Sequence, residues 1–99
     1  MRIYISGAIT GEPNYKNKFK RAVKKAQELF PLDIIVNPAK LPGIFPDGTH
    51  DDYMEICMIM LKKCDTVCLI PGWENSVGAT EEHDFAVRAG KFVVYLHGI

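Results

Sequence analysis

Three runs of this chain, Ile34–Val36 (IIV), Val67–Ile70 (VCLI) and Phe92–Leu96 (FVVYL), are apolar at consecutive positions instead of alternating with polar residues. A strand that reads this way is buried on both faces, which is the condition of a parallel sheet covered by helices. The intervening segments supply those helices. Arg2–Ser6 (RIYIS) is a first β-rich run ended by Gly7, and a helix is expected from Pro13 or Asn14 to Phe30, with Pro13 suited to its first turn. Strand Ile34–Val36 is followed by a connection over Asn37–His50 rich in Pro and Gly, expected to be the least regular part of the chain and a candidate lid. A helix capped by Asp51 or Asp52 and running to Lys63, a strand Thr66–Ile70, a helix Ser76–Gly90 stopped by Gly90 and a strand Lys91–Leu96 complete the reading. Strands joined each time through a helix imply right-handed crossovers and an α/β sandwich of three layers around a four-stranded parallel sheet. In such sheets ligands bind beyond the carboxyl ends of the strands, where the strand order reverses.

Within the third helix the 3.6-residue period puts Gly78, Phe85, Ala86 and Ala89 on one face, with Glu82 in the middle of it. Glu81, Asp84 and Arg88 fall on the other side. A carboxylate on a core-facing stripe is costly unless it is paired, so either a partner satisfies Glu82 or a site uses its charge.

The chain has 99 residues, read as one domain over 1–99, with room for one core and not for a separate cofactor domain. Twelve basic and twelve acidic residues cancel, which gives no general attraction to polymeric nucleic acid or to a membrane surface. The one basic run, Lys16–Lys25, lies opposite an apolar stripe of Tyr15, Phe19, Ala22, Val23, Ala26, Leu29 and Phe30 and reads as a solvated helix face. Cys57, Cys64 and Cys68 form no C-x-x-C pair, and His50, His83 and His97 are scattered. Reduced, buried thiols and no metal site or cofactor are expected. With no signal-peptide pattern and no apolar run of membrane-spanning length, the expected location is cytoplasmic.

Two loops are placed to meet at the strand ends: Gly7-Ala8-Ile9-Thr10-Gly11 and Pro71-Gly72-Trp73-Glu74-Asn75-Ser76. Gly7 and Gly11 allow backbone amides to approach an anion. Ser76 is either an ordinary N-cap or a hydroxyl that, with the free N–H groups of the helix start, holds a phosphate. Trp73 either stacks on a flat ligand or packs over the sheet edge. Tyr4 either reaches the strand ends or is a core tyrosine with one hydrogen bond. The second helix, with Met54, Ile56, Cys57, Met58, Ile59, Met60, Leu61 and Cys64, has almost no polar face. That surplus predicts a homodimer through residues 51–63, with Met54 and Met58 at the interface.

The opening Ile3-Tyr4-Ile5-Ser6-Gly7-Ala8-Ile9-Thr10-Gly11, the Cys64-Asp65 pair before the third strand, and the block Leu69-Ile70-Pro71-Gly72-Trp73-Glu74-Asn75-Ser76-x-Gly78-Ala79-x-x-Glu82 resemble the small bacterial and phage proteins of the nucleoside 2-deoxyribosyltransferase superfamily. That superfamily includes the deoxynucleoside 5′-monophosphate N-glycosidases. The resemblance covers nearly the whole chain and implies a flavodoxin-like (Rossmann-like) fold and chemistry at the bond between sugar and base. By resemblance, Glu82 matches the nucleophile that attacks the anomeric carbon, Tyr4 its neighbour on the first strand, and Ser76 the serine that binds the 5′-phosphate. Gly7, Ala8, Thr10, Gly11, Trp73 and Gly78 would line the substrate site.

Two positions depart from the pattern. Cys57 stands where the enzymes carry an aspartate that handles the proton on the departing base, and Thr10 where the glycosidases often have an arginine. Asp51, Asp52 or Glu55 could take over the proton. Two readings result: an N-glycosidase or deoxyribosyltransferase acting on a nucleoside or nucleotide, and a nucleotide-binding module that keeps the pocket without efficient turnover. A flavodoxin-type electron carrier is a weaker third, since no run resembles a flavin phosphate loop.

Overall fold

The computed structural model describes residues 1–99 and shows a four-stranded, all-parallel sheet in the order β2-β1-β3-β4, with β1 Arg2–Ser6, β2 Ile34–Val36, β3 Thr66–Leu69 and β4 Phe92–Tyr95. Helix α1 (Tyr15–Leu29) follows β1, a short α2 (Leu41–Ile44) and α3 (His50–Lys62) follow β2, and α4 (Val77–Arg88) follows β3. The chain runs outward from β1 to β2, then returns past β1 to β3 and β4. The order therefore reverses between β1 and β3, which pair directly from Ile3 opposite Thr66 to Ser6 opposite Leu69. This is the expected flavodoxin-like sandwich.

Strand β1 divides the molecule by its two-residue alternation. Ile3 and Ile5 point to one face and pack with Phe19, Ala22 and Ala26 of α1 and with Cys68, Ile70 and Leu96. Tyr4 and Ser6 point to the other, where Tyr4 joins Cys57 and Leu61 of α3, Ala86 of α4, Val67 and Leu69. All three cysteines are free and buried, as their scatter among apolar residues predicts. No helix is long and apolar enough to cross a membrane.

Several boundaries differ from the sequence reading, each for a local reason. The Asn37–His50 connection is irregular only in part: Pro38–Lys40 forms a 3₁₀ turn and Leu41–Ile44 a helical turn, while residues 45–49 hold no helix or strand. Pro38 and Pro42 sit in first turns, where their missing N–H costs nothing, and the Asn37 side chain accepts from the Ala39 N–H at 3.0 Å. Helix α3 is capped by Thr49 rather than by Asp51 or Asp52. The Thr49 hydroxyl accepts from the Asp52 N–H at 3.1 Å while the Asp52 carboxylate accepts from the Thr49 N–H at 2.9 Å, a reciprocal capping box. Helix α1 starts at Tyr15, after Asn14, instead of at the proline. Gly90, with φ of 72°, ends α4 as expected, in a conformation a side chain resists.

Candidate functional site

At the carboxyl ends of β1 and β3 lies a crevice of about 710 Å³. Its floor is Tyr4 and Glu82. One wall is the loop Gly7–Gly11 after β1, the opposite wall runs from Ile70 through Trp73 to the first turn of α4, and α3 contributes His50, Tyr53, Met54 and Cys57. These four are spaced i, i+3, i+4, i+7 and so form one stripe of the helix. A Cβ on Gly7 would fall 2.8 Å from the Ile70 side chain, so only a glycine lets the first loop turn this tightly across the end of β3.

Glu82 is 4% exposed, and both of its carboxylate oxygens are engaged. The Tyr4 hydroxyl donates to Oε2 through a short hydrogen bond, and the Ser6 hydroxyl donates to Oε1 at 2.8 Å. No cation pairs with it. Burial pushes its pKa up to about 7, with the two hydroxyl donors pulling the other way and the charge of Glu81 adding slightly to the rise. Burial and the nearby Glu82 charge also hold Tyr4 well above the ordinary phenol value, so it stays a neutral donor. The Cys57 thiol is pushed up to about 11, mainly by burial, and is therefore uncharged at neutral pH. The arrangement is a buried carboxyl group of raised pKa that lines the crevice and is held by two neutral hydroxyls.

The residues assigned to the substrate site by resemblance all line this crevice: Tyr4, Gly7, Ala8, Thr10, Gly11, Cys57, Trp73, Ser76, Gly78 and Glu82. The Ser76 hydroxyl accepts from the Ala79 N–H at 3.2 Å, so Ser76 is the N-cap of α4. A hydroxyl that accepts in this way keeps its own proton free to donate, so capping and anion binding are compatible. Asp51, Asp52 and Glu55 do not line the crevice, and Asp52 is tied into the capping box. Met54, expected in a dimer interface, instead faces the crevice with its sulfur against Gly78, 2.9 Å from where a Cβ would stand.

Sequence reasoning missed Ser6, His50 and Lys18. Ser6 was legible as the residue two beyond Tyr4 on the same strand face. His50 approaches the Thr10 hydroxyl at 3.2 Å and so joins the first loop to the start of α3; its signal was the stripe with Met54 and Cys57. Lys18, placed on a solvated face, reaches back to Glu12 at 3.0 Å, and both line the crevice mouth. No group of His, Cys, Asp and Glu side chains is arranged to hold a metal ion.

The fold and the crevice together define a parallel α/β protein with a buried, hydroxyl-bound carboxylate at its switch point. The chain matches over residues 1–95 the family described as Domain of unknown function (DUF4406), and belongs to it. Among curated proteins, none matches the chain.

Proposed function

We propose that the protein acts on the N-glycosidic bond of a nucleoside 5′-monophosphate, preferring a deoxyribose, with Glu82 as nucleophile. The observation that carries this reading is the state of Glu82: desolvated, without a cation, its two oxygens each accepting from a hydroxyl, and facing a crevice large enough for a nucleotide. Tyr4 and Ser6 satisfy its hydrogen bonds but no cation compensates its charge, and carboxylates perturbed in this way by burial cluster at functional sites. In the reaction one Glu82 oxygen forms a bond to the anomeric carbon as the carbon–nitrogen bond breaks, and the base leaves with the electron pair and takes up a proton. Water then cleaves the glycosyl ester, returning the carboxylate and releasing the sugar phosphate. Burial favours the first step, because a charge that is costly in the pocket is neutralised as the ester forms. Tyr4 and Ser6 fix the carboxylate in position.

Cys57 supports a second reading. A thiol with a pKa of about 11 is a poor proton donor to a departing base, and general acid catalysis is typically worth ~10²–10⁴ in rate. A module that binds nucleotides with little turnover fits that deficit. Incubation with a panel of ribo- and deoxyribonucleotides, with free base read by chromatography and retained ligand by mass spectrometry, separates the two. Free base that disappears in Glu82→Gln supports the enzyme; bound, intact nucleotide supports the module.

The proposed partner on α3 is a second copy of the chain. Ile59 is 61% exposed there, flanked by the half-buried Met58 and Met60. Met54 is left out of this interface because it serves the crevice. Sedimentation as a dimer at micromolar concentration, lost in Ile59→Lys, is the expected result, and a monomeric wild type removes this part of the proposal.

A further inference from the structure

Trp73 is the only tryptophan, and it forms part of the crevice wall. Its indole stacks on the imidazole of His83, with ring centroids 4.2 Å apart and planes 27° from parallel. His83 is itself held at both nitrogens: Nδ1 lies 3.0 Å from the Asp84 carboxylate and Nε2 2.8 Å from the Tyr95 hydroxyl. An ionised carboxylate only accepts, so Nδ1 carries the proton, and in the neutral ring Nε2 accepts from Tyr95. Tyr95 stands on β4, its ring 6.0 Å from that of Trp73. Neither His83 nor Tyr95 lines the crevice, and the chemistry assigned to Glu82 uses neither.

Three rings from three elements therefore form one cluster, with Trp73 stacked on His83 and Tyr95 tilted against both, and of the three only Trp73 lines the crevice. A tryptophan in a 3₁₀ turn has several rotamers open to it. One that rests on an imidazole fixed at both ends is held in a single plane before any ligand arrives, which lowers the ordering cost of binding. We propose that His83, oriented by Asp84 and Tyr95, is a positioning residue that fixes Trp73 as the stacking wall for the base. This rests on the reading above, that the crevice takes a nucleotide.

The test is calorimetric titration with 2′-deoxyadenosine 5′-monophosphate and with 2-deoxyribose 5-phosphate, which has no base. It is run in a Glu82→Gln background so that bound nucleotide stays intact, with Trp73 emission read alongside. The nucleotide is expected to change Trp73 emission and the sugar phosphate to leave it unchanged. Trp73→Ala should weaken the nucleotide roughly ten- to hundredfold, the range for loss of one base–aromatic stack. His83→Ala should weaken it about three- to tenfold and leave the sugar phosphate unaffected. His83→Phe, which restores a ring without the hydrogen bonds, should recover most of that loss. Nucleotide affinity unchanged in His83→Ala overturns the proposal, and so do equal losses for both ligands with no recovery in His83→Phe, which mark a merely structural residue. If neither ligand binds, the nucleotide reading falls and takes this inference with it. If the nucleotide stacks but the protein with Glu82 intact releases no base, the catalytic reading fails and the role of His83 stands.

Discussion

The two faces of the sheet are built from one strand and serve opposite ends. On the α1 face Ile3 and Ile5 meet Phe19, Ala22 and Ala26, and the cluster holds nothing more polar than the Cys68 thiol. On the α3/α4 face the alternate residues of the same strand, Tyr4 and Ser6, are turned to a buried carboxylate. The first face gains from every apolar contact. The second gives up part of that gain to keep Glu82 desolvated. If the proposed function holds, stability and chemistry are separated by a two-residue period instead of by domains, which suits a chain with a single sheet.

The largest effect that sharpens this contrast lies on the dry face. Phe19 is fully buried, and Phe19→Ala should cost ~3–5 kcal/mol, read as a lower urea midpoint, while any base release by the fraction still folded is unchanged per molecule. A loss of catalysis larger than the loss of folded protein would break the separation.

On the α3/α4 face the sign should reverse. The folded pKa of Glu82 is about 7, above the usual carboxylate value of 4.5. Below 4.5 both folded and unfolded chains hold the proton and nothing is lost. Between 4.5 and 7 the folded state keeps a proton that the unfolded state releases, so rising pH removes stability, and above 7 the loss is complete. It amounts to about 3 kcal/mol. Glu82→Gln carries no such penalty, so its stability relative to wild type should rise from pH 4.5 to pH 8 by that order. Denaturant unfolding of both proteins across this range reads it directly, and a constant difference contradicts the desolvated carboxylate.

Two smaller effects follow. Cys57→Asp should raise base release about 10²-fold, the low end of the general-acid range, at some cost in stability because a second carboxyl is buried near Glu82. Turnover assays over the same nucleotide panel decide it, and no gain would mean that proton donation does not limit the reaction. Ser76→Ala should cost ~1 kcal/mol of stability through the lost cap. It should also reduce the preference for a monophosphate over the free nucleoside, measured by titration with both. A preference that survives would make Ser76 a cap only.

The sequence carried the layout of this molecule because the layout depends on periodicity. Unbroken apolar runs point to a parallel sheet under helices, which holds for the fully buried β3, whereas the edge strands β2 and β4 leave Ile34, Phe92 and Tyr95 exposed; Glu82 stood out because a charge in an apolar helical stripe has few explanations. What it hid depended on small displacements or on dual roles. The cap of α3 is one short step upstream, at Thr49, because Asp52 serves as the reciprocal partner. The prolines of residues 38–46 read as breakers, yet Pro38 and Pro42 occupy helix starts. The wide apolar surface of α3 hid the place of Met54, because sequence alone does not distinguish a methionine facing a partner from one lining a crevice, as Met54 does. Ser6 was legible only through strand alternation, which puts it on the same face of β1 as Tyr4.

The central claim is that Glu82 becomes covalently bonded to the sugar. Intact-protein mass spectrometry after rapid acid quench of the protein with a deoxynucleoside 5′-monophosphate, followed by peptide mapping, tests it most directly. An added mass of one deoxyribose phosphate is expected on the peptide containing Glu82, increasing as pH rises through about 7 and missing in Glu82→Gln. Base release that persists in Glu82→Gln, or an adduct mapped to another residue, would contradict it.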